Sequence, residues 1–133
     1  MSTTLWNSTV DSIGADAAEM LEAGVVILFG SPVPDELAEV SLVHGLGGDR
    51  AVPPSEDVVP GDRVRLGAAE YVIDEVGSEA NPNLASLGHV VVYVNSPDQP
   101  LLPGAVKASG PELPTMSVGN PIAFVRGDRK STR

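Results

Sequence analysis

Apolar residues in this chain come in short runs broken by glycine, proline or polar clusters, and helical spacing is brief wherever it occurs. Leu5 to Ile13 alternates imperfectly between apolar and polar positions, which predicts a first strand ended by Gly14. Asp16 to Glu22 puts Ala17, Met20 and Leu21 at helical spacing, for two turns at most before Gly24. Val25 to Phe29 is a continuous β-prone run between glycines, predicted as a central strand buried on both faces. Ser31-Pro32-Val33-Pro34 forces a turn. Asp35 to Val40 then reads as a short helical segment with acids at its N-terminus, where the helix dipole favours them.

Leu42-Val43 next delivers His44 into Gly45-Leu46-Gly47-Gly48. Ala51 to Pro60 is polar and proline-marked and reads as irregular and exposed. Arg63–Leu66 and Glu70–Val76 read as a hairpin turned by Gly67-Ala68-Ala69. Asn81 is placed to cap one helical turn with Pro82 at its first position, stopped by Gly88. His89 to Val94 is a second β-branched run. Leu101 to Gly110, punctuated by Pro103 and Gly104, is expected to bend or to lie at an edge, and Ile122 to Arg126 closes the pattern. Six to eight short strands with little helix predict an all-β fold. Glycines inside the strand-like runs suit the sharp bends of a small closed β-barrel with one or two short helical turns. One domain over residues 1–126 is expected, followed by a polar, disordered tail over 127–133.

Composition narrows the chemistry. At 133 residues and 42% apolar, the chain can bury a real core, but only 4% is aromatic, which argues against stacking platforms for bases or sugars. Zero cysteines excludes disulfides, thiolate metal sites and cysteine nucleophiles, and fits a reducing, cytoplasmic compartment. The sequence shows no apolar run of membrane-spanning length, so no direct membrane insertion is expected. The net charge of −10 is uneven: Arg126, Arg129, Lys130 and Arg133 hold half of the eight basic residues. The acidic remainder repels nucleic acid.

His44 and His89 are the only side chains suited to nucleophilic work near neutral pH. Backbone N–H groups of Gly45, Gly47 and Gly48 can approach a bound anion that a Cβ would obstruct, so the stretch suggests a phosphoryl group carried on His44. The plainer reading is a core histidine beside a loose turn. His89 stands at a strand start and can meet His44 if their strands pair; its plainer reading is a half-buried residue bonded to a backbone carbonyl. The spacing of carboxylates and histidines matches no metal-site pattern. Gly45-Leu46-Gly47-Gly48 lacks the Walker lysine and the Rossmann context, and the nucleophile elbow of serine hydrolases is absent. No cofactor is called for.

Several blocks together go further. Phe29…Pro34-Asp35-Glu36-Leu37, Val43-His44-Gly45, Pro60-Gly61-Asp62, Val76-Gly77-Ser78…Asn83-Leu84…Leu87-Gly88-His89-Val90, Pro103-Gly104-Ala105-Val106…Gly110-Pro111 and Val118-Gly119 occur in one order across nearly the whole chain. They resemble the glucitol/sorbitol-specific IIA component of the bacterial phosphoenolpyruvate-dependent sugar phosphotransferase system. The resemblance implies a small β-barrel phosphorylated on the histidine that maps to His44, with the histidine phosphocarrier HPr as donor and the IIB part of the permease as acceptor. Members often carry another histidine two places later, where this chain has Leu46, so His89 becomes the second histidine to consider. A non-catalytic barrel that serves as an interaction or regulatory module is the alternative.

Overall fold

The computed structural model describes residues 4–30, 33–44 and 57–127. Among them are eight strands and three short helices: β1 (Thr4–Ile13), α1 (Ala17–Glu22), β2 (Val25–Gly30), α2 (Asp35–Ala38), β3 (Leu42–His44), β4 (Arg63–Leu66), β5 (Ala69–Val76), α3 (Ala80–Leu87), β6 (Val90–Val94), β7 (Ala105–Ser109) and β8 (Pro121–Val125). The strands close into a barrel in the order β1-β3-β2-β6-β7-β5-β4-β8. The pairs β2–β3 and β6–β7 are parallel and the rest antiparallel. Closure pairs every strand on both sides, so the backbone donors and acceptors that an open sheet would leave at its edges are satisfied. The all-β barrel expected from the sequence is the fold observed.

Alternation then sorts the side chains. Val26 and Leu28 of β2, Leu42 of β3 and Val90, Val92 and Val94 of β6 point inward, joined by Trp6, Val10, Val64, Leu66, Ile73, Ile122 and Phe124 in one apolar cluster. Two local expectations are corrected and one open alternative is decided. The run Val25–Phe29 is a central strand, but Val25 and Ile27 are only half-buried, because a barrel has one interior and its outside is thinly covered. Of the two alternatives for Leu101–Gly110, the bend is seen, as a turn at Pro103-Gly104, and the edge is not: β7 within it pairs with both β5 and β6. Val58, in the segment expected to be exposed, is buried.

Helix α3 also differs in detail. It spans two turns and starts after Glu79, and Asn81 is not its cap. The Asn81 amide is drawn instead to the backbone of Val58, accepting from its N–H at 2.8 Å and donating to its carbonyl at 2.9 Å. Beside this pair, buried Asp62 accepts the N–H groups of Val59 and Gly127 at 2.9 and 3.0 Å. The backbone at Gly127 is thus tied to the barrel, and the remaining expected tail, residues 128–133, lies outside the described residues.

Leu28, with 0% exposure, tests the core directly. Leu28→Ala should lower unfolding free energy by about 2–5 kcal/mol, read from the denaturant midpoint at unchanged slope.

Candidate functional site

The chain places His44 at the C-terminal end of β3, where alternation with the core residue Leu42 turns its side chain into the barrel. Its neighbour in register on the parallel strand β2 is Gly30. Without a side chain at Gly30, the imidazole can lie across β2 and reach Gly88, the residue that leads into β6. The Nε2 nitrogen sits 2.7 Å from the Gly88 carbonyl oxygen. On the other side Nδ1 sits 3.0 Å from the Ser8 hydroxyl of β1. The edge of the Trp6 ring closes over it with centroids 5.1 Å apart.

These contacts determine where the proton resides. A carbonyl oxygen only accepts, so Nε2 carries the hydrogen and donates to Gly88. A neutral ring then has its lone pair on Nδ1, and the Ser8 hydroxyl donates to it. The serine can rotate to suit either role; the carbonyl cannot. The arrangement is a neutral imidazole held in one tautomer.

Electrostatics agree with that assignment. Burial lowers the imidazole pKa below its ordinary value by penalising the charged form, against weaker upward pulls from the Gly88 carbonyl and the Asp11 carboxylate. With 2% of its surface exposed, His44 meets solvent only after a local opening.

Gly88 serves two constraints at once. It ends α3 in the left-handed region at φ +63°, and its N–H returns to the Leu84 carbonyl. A Cβ there would stand 2.8 Å from His44 Cε1, 3.1 Å from Nε2 and 3.2 Å from the Gly30 Cα, so the ring occupies the space that glycine leaves.

The structure does not bring the two histidines face to face. Val90 points inward, so His89 beside it points outward, where its ring packs on Phe29 with centroids 4.4 Å apart. Its Nδ1 donates to the Leu28 carbonyl at 3.1 Å. The two histidines are linked instead through the chain: the Gly88 carbonyl, in the residue preceding His89, accepts from His44 Nε2–H. Gly45, Gly47 and Gly48, the expected anion nest, lie outside the described residues.

Sequence reasoning missed Trp6, Ser8 and Gly30 altogether and read Gly88 only as a helix stop. The spacing of Trp6 and Ser8 puts both on one face of a strand, but nothing local says that this face meets His44. Among the described residues no group of histidines and carboxylates is arranged to hold a metal ion.

A small closed barrel presenting one tautomerically fixed histidine is a class of protein suited to accepting and passing on a small electrophilic group. Comparison with known proteins narrows the class. A family profile described as "PTS system glucitol/sorbitol-specific IIA component" matches residues 5–123, and the chain belongs to that family. The glucitol/sorbitol-specific EIIA components of Shigella flexneri and of Escherichia coli strain K12 are each 30% identical to it over 122 residues, covering 92% of this chain and 95% of theirs. The crystal structure of a PTS system IIA component from Enterococcus faecalis V583 superposes with a TM-score of 0.77 at 25% identity, over 90% of this chain and 99% of that one. The chain is accordingly a phosphotransferase-system component with a phosphocarrier role.

The lowered pKa of His44 has a stability consequence. The unfolded chain takes the proton first as pH falls through the ordinary histidine value of about 6.5, so stability drops from there toward the folded-state pKa and levels off beneath it. Thermal unfolding across about pH 7.5 to 5 should show the wild type losing midpoint temperature more steeply than His44→Gln, which has no group to titrate. Parallel curves would contradict the assignment.

Proposed function

We infer that the protein is a cytoplasmic phosphocarrier that accepts a phosphoryl group from HPr on His44 and passes it to the IIB component of a glucitol/sorbitol permease. The observation that carries the reading is the neutral His44 imidazole, bonded at both nitrogens and held in one tautomer, in a chain of this family. Phosphoryl transfer asks little covalent work of a protein; positioning of the nucleophile and of the phosphoryl oxygens does most of it. A neutral imidazole is the nucleophilic form, and burial keeps His44 neutral at cytoplasmic pH. Backbone N–H groups of Gly45, Gly47 and Gly48 hold the phosphoryl oxygens without adding a fixed positive charge that would over-stabilise the phosphoprotein. No helix among the described residues is long and apolar enough to cross a membrane, in keeping with a carrier that moves between partners. His89 acts on the site through Gly88 and is a positioning residue.

Incubated with phosphoenolpyruvate, Enzyme I and HPr, the protein should gain one phosphoryl group that is lost in mild acid and survives base, as a phosphoramidate does. His44→Gln should abolish labelling while the protein remains folded. Labelling that persists in this variant would remove His44 from its role, and a wild type never labelled by a competent donor system would favour the non-catalytic barrel module. His89→Ala should still be labelled but transfer about tenfold more slowly, the size of one net hydrogen bond. Unchanged kinetics in both half-reactions would leave His89 with a packing role only.

A further inference from the structure

The site contains one polar side chain that the phosphocarrier reading has not used. Ser8 is half-buried on β1, and its hydroxyl bonds the ring nitrogen that the Gly88 carbonyl leaves unprotonated. We propose that Ser8 is the positioning residue of the phosphoryl transfer: with the Gly88 carbonyl keeping the proton on Nε2, the Ser8 hydroxyl holds the bare Nδ1 of His44 in place to accept the group and turns from that nitrogen to a phosphoryl oxygen as the bond forms. This rests on the phosphocarrier reading above.

The chemistry follows from which partner can move. Nε2 is committed: its hydrogen points at a backbone carbonyl 2.7 Å away, and Gly88 is fixed as the left-handed end of α3. Attack through Nε2 would first require breaking that bond and would bring phosphoryl oxygens against a carbonyl oxygen. Nδ1 is bonded to a hydroxyl, which one side-chain rotation turns away.

The step balances without a free proton. The donor is an imidazolium bearing the phosphoryl group on one nitrogen and a proton on the other. The Nδ1 lone pair forms the new N–P bond as the donor's N–P bond breaks, and that electron pair returns to the donor nitrogen, leaving the donor neutral. His44 keeps its Nε2 hydrogen and becomes the phosphoimidazolium, with Gly88 accepting from the now more acidic N–H. A hydrogen bond to a charged oxygen is stronger than one to a neutral nitrogen, so Ser8 stabilises the transfer state more than the ground state.

The experiment has two readouts. Nitrogen NMR of the unphosphorylated wild type should show His44 protonated on Nε2 and bare on Nδ1, and the phosphoprotein should show phosphorus coupled to Nδ1. Ser8→Ala should stay folded with its imidazole in the same tautomer, still held by Gly88, but should be labelled by phospho-HPr about tenfold to a hundredfold more slowly. Ser8→Thr, which keeps the hydroxyl, should recover most of the rate. Phosphorus on Nε2, or wild-type labelling rates in Ser8→Ala, overturns the proposal while leaving His44 as the carrier. A wild type that takes no label at all overturns both.

Discussion

A buried imidazole has two nitrogens to satisfy, one as donor and one as acceptor, and leaving either unmet would cost about 1–3 kcal/mol. His44 meets this demand with groups from opposite directions: the Ser8 hydroxyl on β1 and the Gly88 carbonyl before β6. That is possible only if β1, β3, β2 and β6 lie side by side in that order and if β2 has no side chain beneath the ring. The parallel pairing of β2 with β3 supplies the order, and Gly88 leaves the space that the ring fills. The same geometry that seats the ring also chooses its tautomer. Fold and imidazole are therefore parts of one arrangement.

The barrel interior has a second consequence. A histidine on a solvated loop would be half-protonated near its ordinary pKa and free to rotate. The Trp6 edge and surrounding core keep His44 neutral and oriented, at the cost of access. In the proposed transfer the hydroxyl moves and the carbonyl does not.

Much of this was legible from residue patterns. Turn-punctuated runs of β-branched residues predicted the barrel, and a lone histidine at a strand-to-glycine junction drew attention to His44. What escaped was everything that depends on register. Leu5 to Ile13 shows that Trp6 and Ser8 share a face but not which strand that face will meet. Whether His89 would meet His44 turned on the same thing: one position along a strand reverses the side chain, and its neighbour Val90 is the one that points inward, which leaves His89 half-buried and bonded to a backbone carbonyl. Asn81 looked like a helix cap because that is its commonest local use, yet a distant backbone segment at Val58 claimed its amide. Local signals identify elements well; contacts between elements decide what each side chain does.

The central claim is that one particular buried histidine carries the phosphoryl group. The most direct measurement is tandem mass spectrometry, under fragmentation that preserves the N–P bond, of protein freshly charged by phospho-HPr at neutral pH. The account predicts a single modified residue, His44, with His89 and every hydroxyl unmodified. A phosphoryl group found on His89 or on Ser8, or spread over several residues, would contradict it.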